Sequence, residues 1–473
     1  MLKLIKKLFT LLTPGQRKRF YGLQILVILM AFAEIIGVVS IVPFMALVGD
    51  MNQLQQNTII AQAYQVSGVS SESQFVFLLG LSVLVLLLIS SIISILTVWK
   101  ISMFANKIGV EIADRLYSHY LKQDWLFHAS GSSAQLTKKI AIETARVTGG
   151  VLVPLMQMNA KIILALFMSI SVFIFDPKVA IIGFFTFTVS YFFLFKVIRL
   201  RLQHNGEAIS ATNEERFRLM NEGFGGIKDV ILHGRDSDFI NRFNETGSTL
   251  AYSHGTNAAY TNTPRYFIEL IAFGSMISLI LYLMVSHEGN LGMILPILSV
   301  YALVAIKLLP AFQQIYFSIA TMNGNIAAFD SIKGDLDNSL KAKSVVTNKE
   351  ESLLHFKQEI TLKNITFTFP KKEEPALNQL NITIPVNSLI GIVGPSGSGK
   401  STLIDILLAL IDPQQGELKV DNNVINKKNR RSWQNTIGFV AQNIFLSQNT
   451  IAENVAFGIR KDQINLEHVR QAL

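Results

Sequence analysis

The sequence predicts an α-helical domain of six membrane spans followed by an α/β domain. Three observations carry this. Of the 473 residues, 50% are hydrophobic and only 16% are charged, against about 25% charged in a soluble globular chain. Six stretches are apolar over about the 20 residues that a span needs. Beyond Ser352 the pattern changes to short alternating strands and a glycine-rich turn.

The six stretches are Phe20–Val48, Phe75–Trp99, Val151–Phe175, Val179–Val197, Tyr266–Val285 and Leu291–Leu309. The charges between them set an orientation. Lys3, Lys6, Lys7, Arg17, Lys18 and Arg19 precede the first, with no acid among them. The segment from Gly49 to Gln74 and the short "SHEGN" have no Lys or Arg, and "DPK" has one. The long connections Lys100–Gly150 and Ile198–Arg265 are rich in both. Cytoplasmic loops collect basic residues, so both termini and both long connections are expected in the cytoplasm. The net charge of +9 is explained the same way, without nucleic acid as a partner. No signal peptide is expected, because lysines break the apolar run at the start. There are no cysteines, which excludes disulfides and cysteine-based metal sites.

Both long connections place apolar residues at helical spacing, as in "ANKIGVEIADRLYSHYLKQDW" and "NEERFRLMNEGFGGIKDVILHGRDSDFINRF". Paired helices running out of the membrane are expected, with tips near Leu126–Ser133 and Gly234–Phe239. The apolar-polar segment "MNQLQQNTIIAQAYQVSG" reads either as a short amphipathic helix or as a loop. A polar linker is expected over Asp330–Ser352, which divides a membrane domain, 1–329, from the second domain, 353–473.

The second domain opens with strands in "EITLKNITFTF" and "LNITIP", and a third is expected over Leu389–Val393. That strand runs into "GPSGSGKS", Gly394 to Ser401, and then into the amphipathic "STLIDILLALI". Strand, glycine-rich turn and helix are the context of a phosphate-binding loop. The backbone of Gly394, Pro395, Ser396, Gly397, Ser398 and Gly399 would wrap phosphate oxygens, and the helix N-terminus at Lys400–Thr402 adds partial positive charge. Lys400 would reach the terminal phosphates and Ser401 would offer its hydroxyl to Mg²⁺. A phosphate loop alone does not choose between a kinase, a GTPase and a motor.

The next stretches do choose. "ITFTFP" from Ile365, "PQQGELKVDNNVI" from Pro413 and "AQNIFLSQNTIAENVAFG" from Ala441 resemble the ATP-binding cassette of ABC exporters. Six spans with two long connections match the same family, so the resemblance covers essentially the whole chain. It implies an ABC-exporter-type membrane domain followed by a partial α/β P-loop NTPase domain, in a homodimer of the bacterial cytoplasmic membrane, using ATP and Mg²⁺. It places Phe369 as the ring that stacks on adenine, although the alternation of Ile365, Phe367 and Phe369 also fits a strand core. It makes Gln442 the Q-loop glutamine, touching Mg²⁺ or the attacking water. Asp412 reads as a solvated turn residue. The family's LSGGQ signature, Walker-B Asp, following Glu and switch His are not found in these 473 residues. The resemblance therefore implies an ATPase for a longer parent, and an inactive chain on its own.

Charged residues within spans are costly and often mark a pathway. Glu34, Lys161, Glu269 and Lys307 fall in spans, and Arg265 opens one. Glu34 and Lys307 either line a path or form a structural pair. "TPRYFIELIAFG" and "ALVAIKLLPAFQQIY" are most similar to bacterial flippases of polyprenyl-pyrophosphate-linked oligosaccharides. That resemblance makes Arg265 and Lys307 cavity residues for an anionic head group. The second span has no Arg or Lys before Lys100, where those flippases carry one. A general lipid, drug or peptide exporter, and a membrane protein that binds nucleotide without hydrolysing it, are the other readings.

Overall fold

The computed structural model describes residues 9, 12–49, 51, 59–69, 71–131, 133–175, 177–286, 291–341, 353–354, 356–370, 372–442 and 444–473. It divides into two units, Met1–Gln123 with Ser130–Ser344, and Asp124–Ala129 with Val345–Leu473.

The first unit is helical. Its main elements are α1 (Pro14–Gly49), α2 (Ile59–Ser67) and α3 (Glu72–Leu121). Helix α4 (Trp125–Ser130) falls almost wholly in the second unit, and the first resumes with α5 (Ser133–Lys138), α6 (Thr144–Val147) and α7 (Val153–Phe175). Two π-helical turns, Lys139–Glu143 and Thr148–Leu152, join these last three. Then follow α8 (Pro177–Gly225), α9 (Ile227–Leu232), α10 (Asp236–Asn262), α11 (Pro264–Ser286) and α12 (Leu291–Lys341). All six apolar stretches lie on these helices. Among the described residues, Pro14–Met45, Glu72–Leu121 and Ser133–Ile174 are long and apolar enough to cross a membrane. Both long connections are helical over most of their described residues, as their periodicity predicts. The segment read as helix or loop is helical over Ile59–Ser67, where Tyr64 packs edge-on against Phe75 at 5.1 Å.

The core of this unit joins Val27 and Met30 of α1, Ile101, Phe104 and Ile108 of α3, Leu155 of α7 and Met322, Phe329, Ile332 and Leu336 of α12. Its last members correct the expected linker. Asp330–Lys341 is the end of α12, because Phe329, Ile332 and Leu336 fall on one helical face and are fully buried. Asp335 on that helix accepts hydrogen bonds from Tyr120 at 2.6 Å and Lys139 at 2.8 Å. The rest of the expected linker, 342–352, lies outside the described residues.

A buried ionic cluster ties the π-helical stretch to its neighbours. Glu143 is fully buried and lies between Lys138 at 3.5 Å and Arg146 at 3.1 Å. Lys138 also meets Glu214 at 3.0 Å, and Arg146 donates to Ser210 Oγ at 2.6 Å and to Asn325 Oδ1 at 3.3 Å. Helices α8 and α12 approach closely beside it. A Cβ on Gly206 would stand 2.4 Å from the carbonyl oxygen of Gly324. Backbone cannot yield as a side chain can, so Gly206→Ala should destabilise the unit by about 1–3 kcal/mol. Gly255 of α10 faces open space, and Gly255→Ala should stabilise by up to about 1 kcal/mol through helix propensity. Thermal unfolding midpoints in detergent should move in opposite directions for the two variants.

The second unit holds a four-stranded antiparallel sheet in the order β2-β1-β3-β4, made of β1 (Glu359–Phe367), β2 (Leu377–Pro385), β3 (Gln415–Val420) and β4 (Asn423–Val424). Helices α13 (Lys400–Leu407), α14 (Arg430–Gln434), α15 (Ile451–Val455) and α16 (Leu466–Ala472) complete it. Leu362, Ile365 and Phe367 of β1, Leu403 and Ile406 of α13, Leu418 and Val420 of β3 and Trp433 of α14 form one core. The indole of Trp433 donates to the carbonyl of Leu407 at 2.8 Å, which fixes α14 against the end of α13.

One expected element is not a strand. Leu389–Val393 joins no ladder among the described residues, and Leu389 and Val393 are 99% and 96% exposed. An apolar run of this kind suits a strand with neighbours on both edges. The sheet that forms offers it none.

Candidate nucleotide and substrate sites

The phosphate loop is built from its glycines. Gly397 and Gly399 have φ of +85° and +88°, a region open to glycine without steric cost. At Gly399 there is a second constraint. A Cβ would meet the carbonyl oxygen of Ala376 at 2.5 Å and a methyl of Leu377 at 2.9 Å. Gly399 is the N-cap of α13, and that helix is anchored by buried Thr402, Leu403 and Ile406. Lys400 curls back over the loop, its ammonium donating to the carbonyls of Gly394 and Pro395, each at 2.8 Å. A cation is thus held over exposed Gly394, Pro395, Ser396, Gly397 and Ser398. The hydroxyl of Ser401 is exposed and has no hydrogen-bond partner among the described residues. These groups fit a triphosphate and its metal: backbone donors, one ammonium and one free hydroxyl.

Phe369 lies just past the end of β1. It is half-buried, with Phe367 edge-on to it at 5.0 Å. Gln442 is exposed and makes no hydrogen bond among the described residues.

Sequence reasoning missed two polar contacts around α13. Asp405, on the face of α13 away from the core, accepts a hydrogen bond from the indole of Trp125 at 3.2 Å. Burial pushes the Asp405 carboxyl up, and the Trp125 donor offsets part of that. Leu126, beside Trp125, packs on the core of the second unit. Asp412 is not a free turn residue. It pairs with the guanidinium of Arg430, which closes the turn after α13 onto α14.

In the first unit the two expected substrate cations are each paired. Arg265 donates to Glu269 at 2.7 Å, one helical turn away, and Gln313 donates to the same carboxylate oxygen at 3.4 Å. Lys307 of α12 lies 3.4 Å from Glu34 of α1, whose other oxygen accepts from Ser94 of α3 at 3.1 Å. Glu34 is buried, Lys307 is 39% exposed and Arg265 is 63% exposed at the side chain. A desolvated carboxylate is tolerable when so partnered. Lys307 therefore holds three helices together through Glu34 while part of its side chain stays exposed.

The family model described as the ABC transporter transmembrane region matches residues 39–306. The family model described as ABC transporter matches residues 377–473. The chain belongs to the ABC transporter family. Its membrane domain is helical and of ABC exporter type, and an ATP-binding cassette sequence follows it. The chain is similar to proteins named ATP-dependent lipid A-core flippase. It is 24% identical to that of Wigglesworthia glossinidia brevipalpis over 411 residues, which are 83% of this chain and 66% of the relative. It is 23% identical to that of Escherichia coli K12 over 398 residues, again 83% and 66%. For Cupriavidus pinatubonensis the identity is 23% over 386 residues, 79% of this chain and 63% of the relative. The chain thus spans about two thirds of the length of these relatives. Among solved structures, that of a bacterial Atm1-family ABC exporter with ATP bound superposes with a TM-score of 0.72 at 16% identity, over 96% of this chain and 76% of the other. At that identity the likeness shows the fold alone.

Proposed function

We propose that this ABC transporter chain belongs to an ATP-driven flippase that moves an anionic amphiphile, a lipid-linked glycan of the lipid A-core or pyrophosphate-linked type, across a bacterial cytoplasmic membrane. The observation that carries the reading is the phosphate loop with Lys400 folded over it, joined in one chain to a helical membrane domain whose relatives are named lipid flippases. Gly394 to Thr402 would hold ATP, Phe369 would stack on its base, and Ser401 and Gln442 would reach Mg²⁺. Bound Mg²⁺ would neutralise phosphate charge. Two copies would be required, with both termini in the cytoplasm. Arg265 and Lys307 would receive the head group by exchanging part of their carboxylate pairing for phosphate, and arginine suits this because it grips two oxygens at once. A general lipid, drug or peptide exporter is the second reading. It gains support from the neutralisation of both cations by Glu269 and Glu34.

The substrate class is tested with a chimera in which the 473 residues are followed by the C-terminal third of the Escherichia coli relative. Its ATP hydrolysis in nanodiscs should rise on adding a lipid A-core glycolipid or a polyprenyl-pyrophosphate glycan. Arg265→Ala should remove that rise and leave basal hydrolysis within about twofold, because the cassette is untouched. Lys307→Ala should act in the same direction, with some loss of stability from the orphaned Glu34. Stimulation by neutral drugs or peptides alone would favour the second reading.

A further inference from the structure

Helix α8 carries an apolar stripe that stops abruptly. Ile181, Phe185, Val189, Phe192, Phe193, Val197 and Leu200 are 49–74% exposed, and at 100° per residue they fall on one face. An exposed apolar face on a helix of a membrane domain suits contact with the bilayer or with a second copy of the chain, and the cations at its end favour the bilayer. One turn beyond Leu200 that face becomes polar, at exposed His204 and Glu207. The water boundary therefore lies near Leu200.

Lys196 and Arg199 sit at this boundary. Lys196 is central on the stripe and Arg199 lies on its edge, three residues on. Both are exposed, and neither has an ion pair among the described residues. No acid occurs between Val179 and Gly206. On the opposite flank of the stripe, exposed Arg201 donates to the hydroxyl of Tyr260 at 2.6 Å and lies 5.9 Å from the centre of its ring. That partner orients the guanidinium without neutralising it. Like charges three residues apart repel, and at the edge of a low-dielectric layer the repulsion is weakly screened. Three cations grouped there without a carboxylate attract an anion from outside the protein.

We infer that Lys196, Arg199 and Arg201 form a docking site on the outer face of α8 for the headgroup phosphate of an anionic phospholipid of the surrounding bilayer. Its acyl chains would lie along Phe192, Phe193 and Val197. The site takes a resident lipid, so it stands apart from the transported substrate and from the flippase reading. Lysine and arginine stems reach headgroup level from within the apolar layer while their heads stay wet. Basic residues at such a level attract anionic lipid.

The test uses the purified 473-residue chain, titrated with phosphatidylglycerol or with phosphatidylcholine of the same acyl chains, with retained lipid counted by native mass spectrometry. Phosphatidylglycerol should bind at least tenfold more tightly than phosphatidylcholine. Each basic residue near an anionic headgroup contributes about fivefold, so the double variant Lys196→Gln/Arg199→Gln should lose about 25-fold in phosphatidylglycerol affinity. Lys196→Arg/Arg199→Lys should retain it. A control with the same charge change in α9 and the turn after it, Lys228→Gln/Arg235→Gln, should bind as the parent does. Equal loss in the control would overturn the inference, since net charge would then explain the effect. Unchanged binding in the double variant would also overturn it. So would a changed oligomeric state with unchanged lipid binding, which would assign the face to a second copy of the chain.

Discussion

Glu143→Ala should destabilise the first unit by about 3–5 kcal/mol, the range for removing one partner of a buried ionic cluster. The carboxylate is fully buried between Lys138 and Arg146, which are themselves almost wholly enclosed. Without it, two cations face each other across a cavity. Lys138 keeps Glu214, and Arg146 keeps Ser210 and Asn325, so the loss is not complete for either. The double variant Glu143→Ala/Lys138→Met should recover part of the stability, because it removes a buried charge together with its partner. The measurement is the thermal midpoint of the detergent-solubilised chain. A fall in Glu143→Ala no larger than for an exposed acid such as Glu222→Ala would contradict the electrostatic explanation. Glu143 ends one π-helical turn and a second begins at Thr148, and such turns are frequent at functional positions.

Lys400→Ala is the second large effect. In the chimera with a completed cassette, steady-state hydrolysis should fall by about 10²–10³-fold, the scale for losing one preorganised charge-stabilising group. The ammonium is already poised over Gly394 and Pro395, so its removal takes away the one cation of the loop. The rest of the loop should stand, because the turn depends on Gly397, Gly399 and the buried side of α13. In the 473-residue chain itself, phosphate release should be the same in the parent as in the Lys400→Ala variant, since its sequence contains no LSGGQ motif. Release by the parent above that variant would show that the present residues suffice.

The helices were legible because their signal is local. Six apolar stretches and two helical connections follow from residue spacing alone, and the phosphate loop is a contiguous motif whose glycines have local reasons. The α12 boundary was misplaced because Asp330, Lys333 and Asp335 look like a polar linker in one dimension. In three dimensions they lie on a helix whose inner face is Phe329, Ile332 and Leu336, and Asp335 is itself bonded to Tyr120 and Lys139. Leu389–Val393 failed for the opposite reason: an apolar run announces a strand, but pairing depends on which neighbours are present. The carboxylate partners of Arg265 and Lys307 split the same way. Glu269 lies four residues from Arg265 and could be read from helical spacing. The closeness of Glu34 to Lys307 depends on how α1 packs on α12. The Trp125–Asp405 contact joins residues 280 apart, and no pattern in either segment points to the other.

If ATP at the Lys400 loop drives lipid movement through this helical domain, the movement itself must be visible. The decisive experiment reconstitutes the chimera into proteoliposomes and follows a fluorescent lipid A-core glycolipid from one leaflet to the other. Transfer should require ATP and Mg²⁺, should stop in Lys400→Ala, and should be strongly reduced in Arg265→Ala despite normal hydrolysis. Transfer at the same rate without ATP or in Lys400→Ala, or hydrolysis with no glycolipid transfer in the parent, would contradict the proposed function.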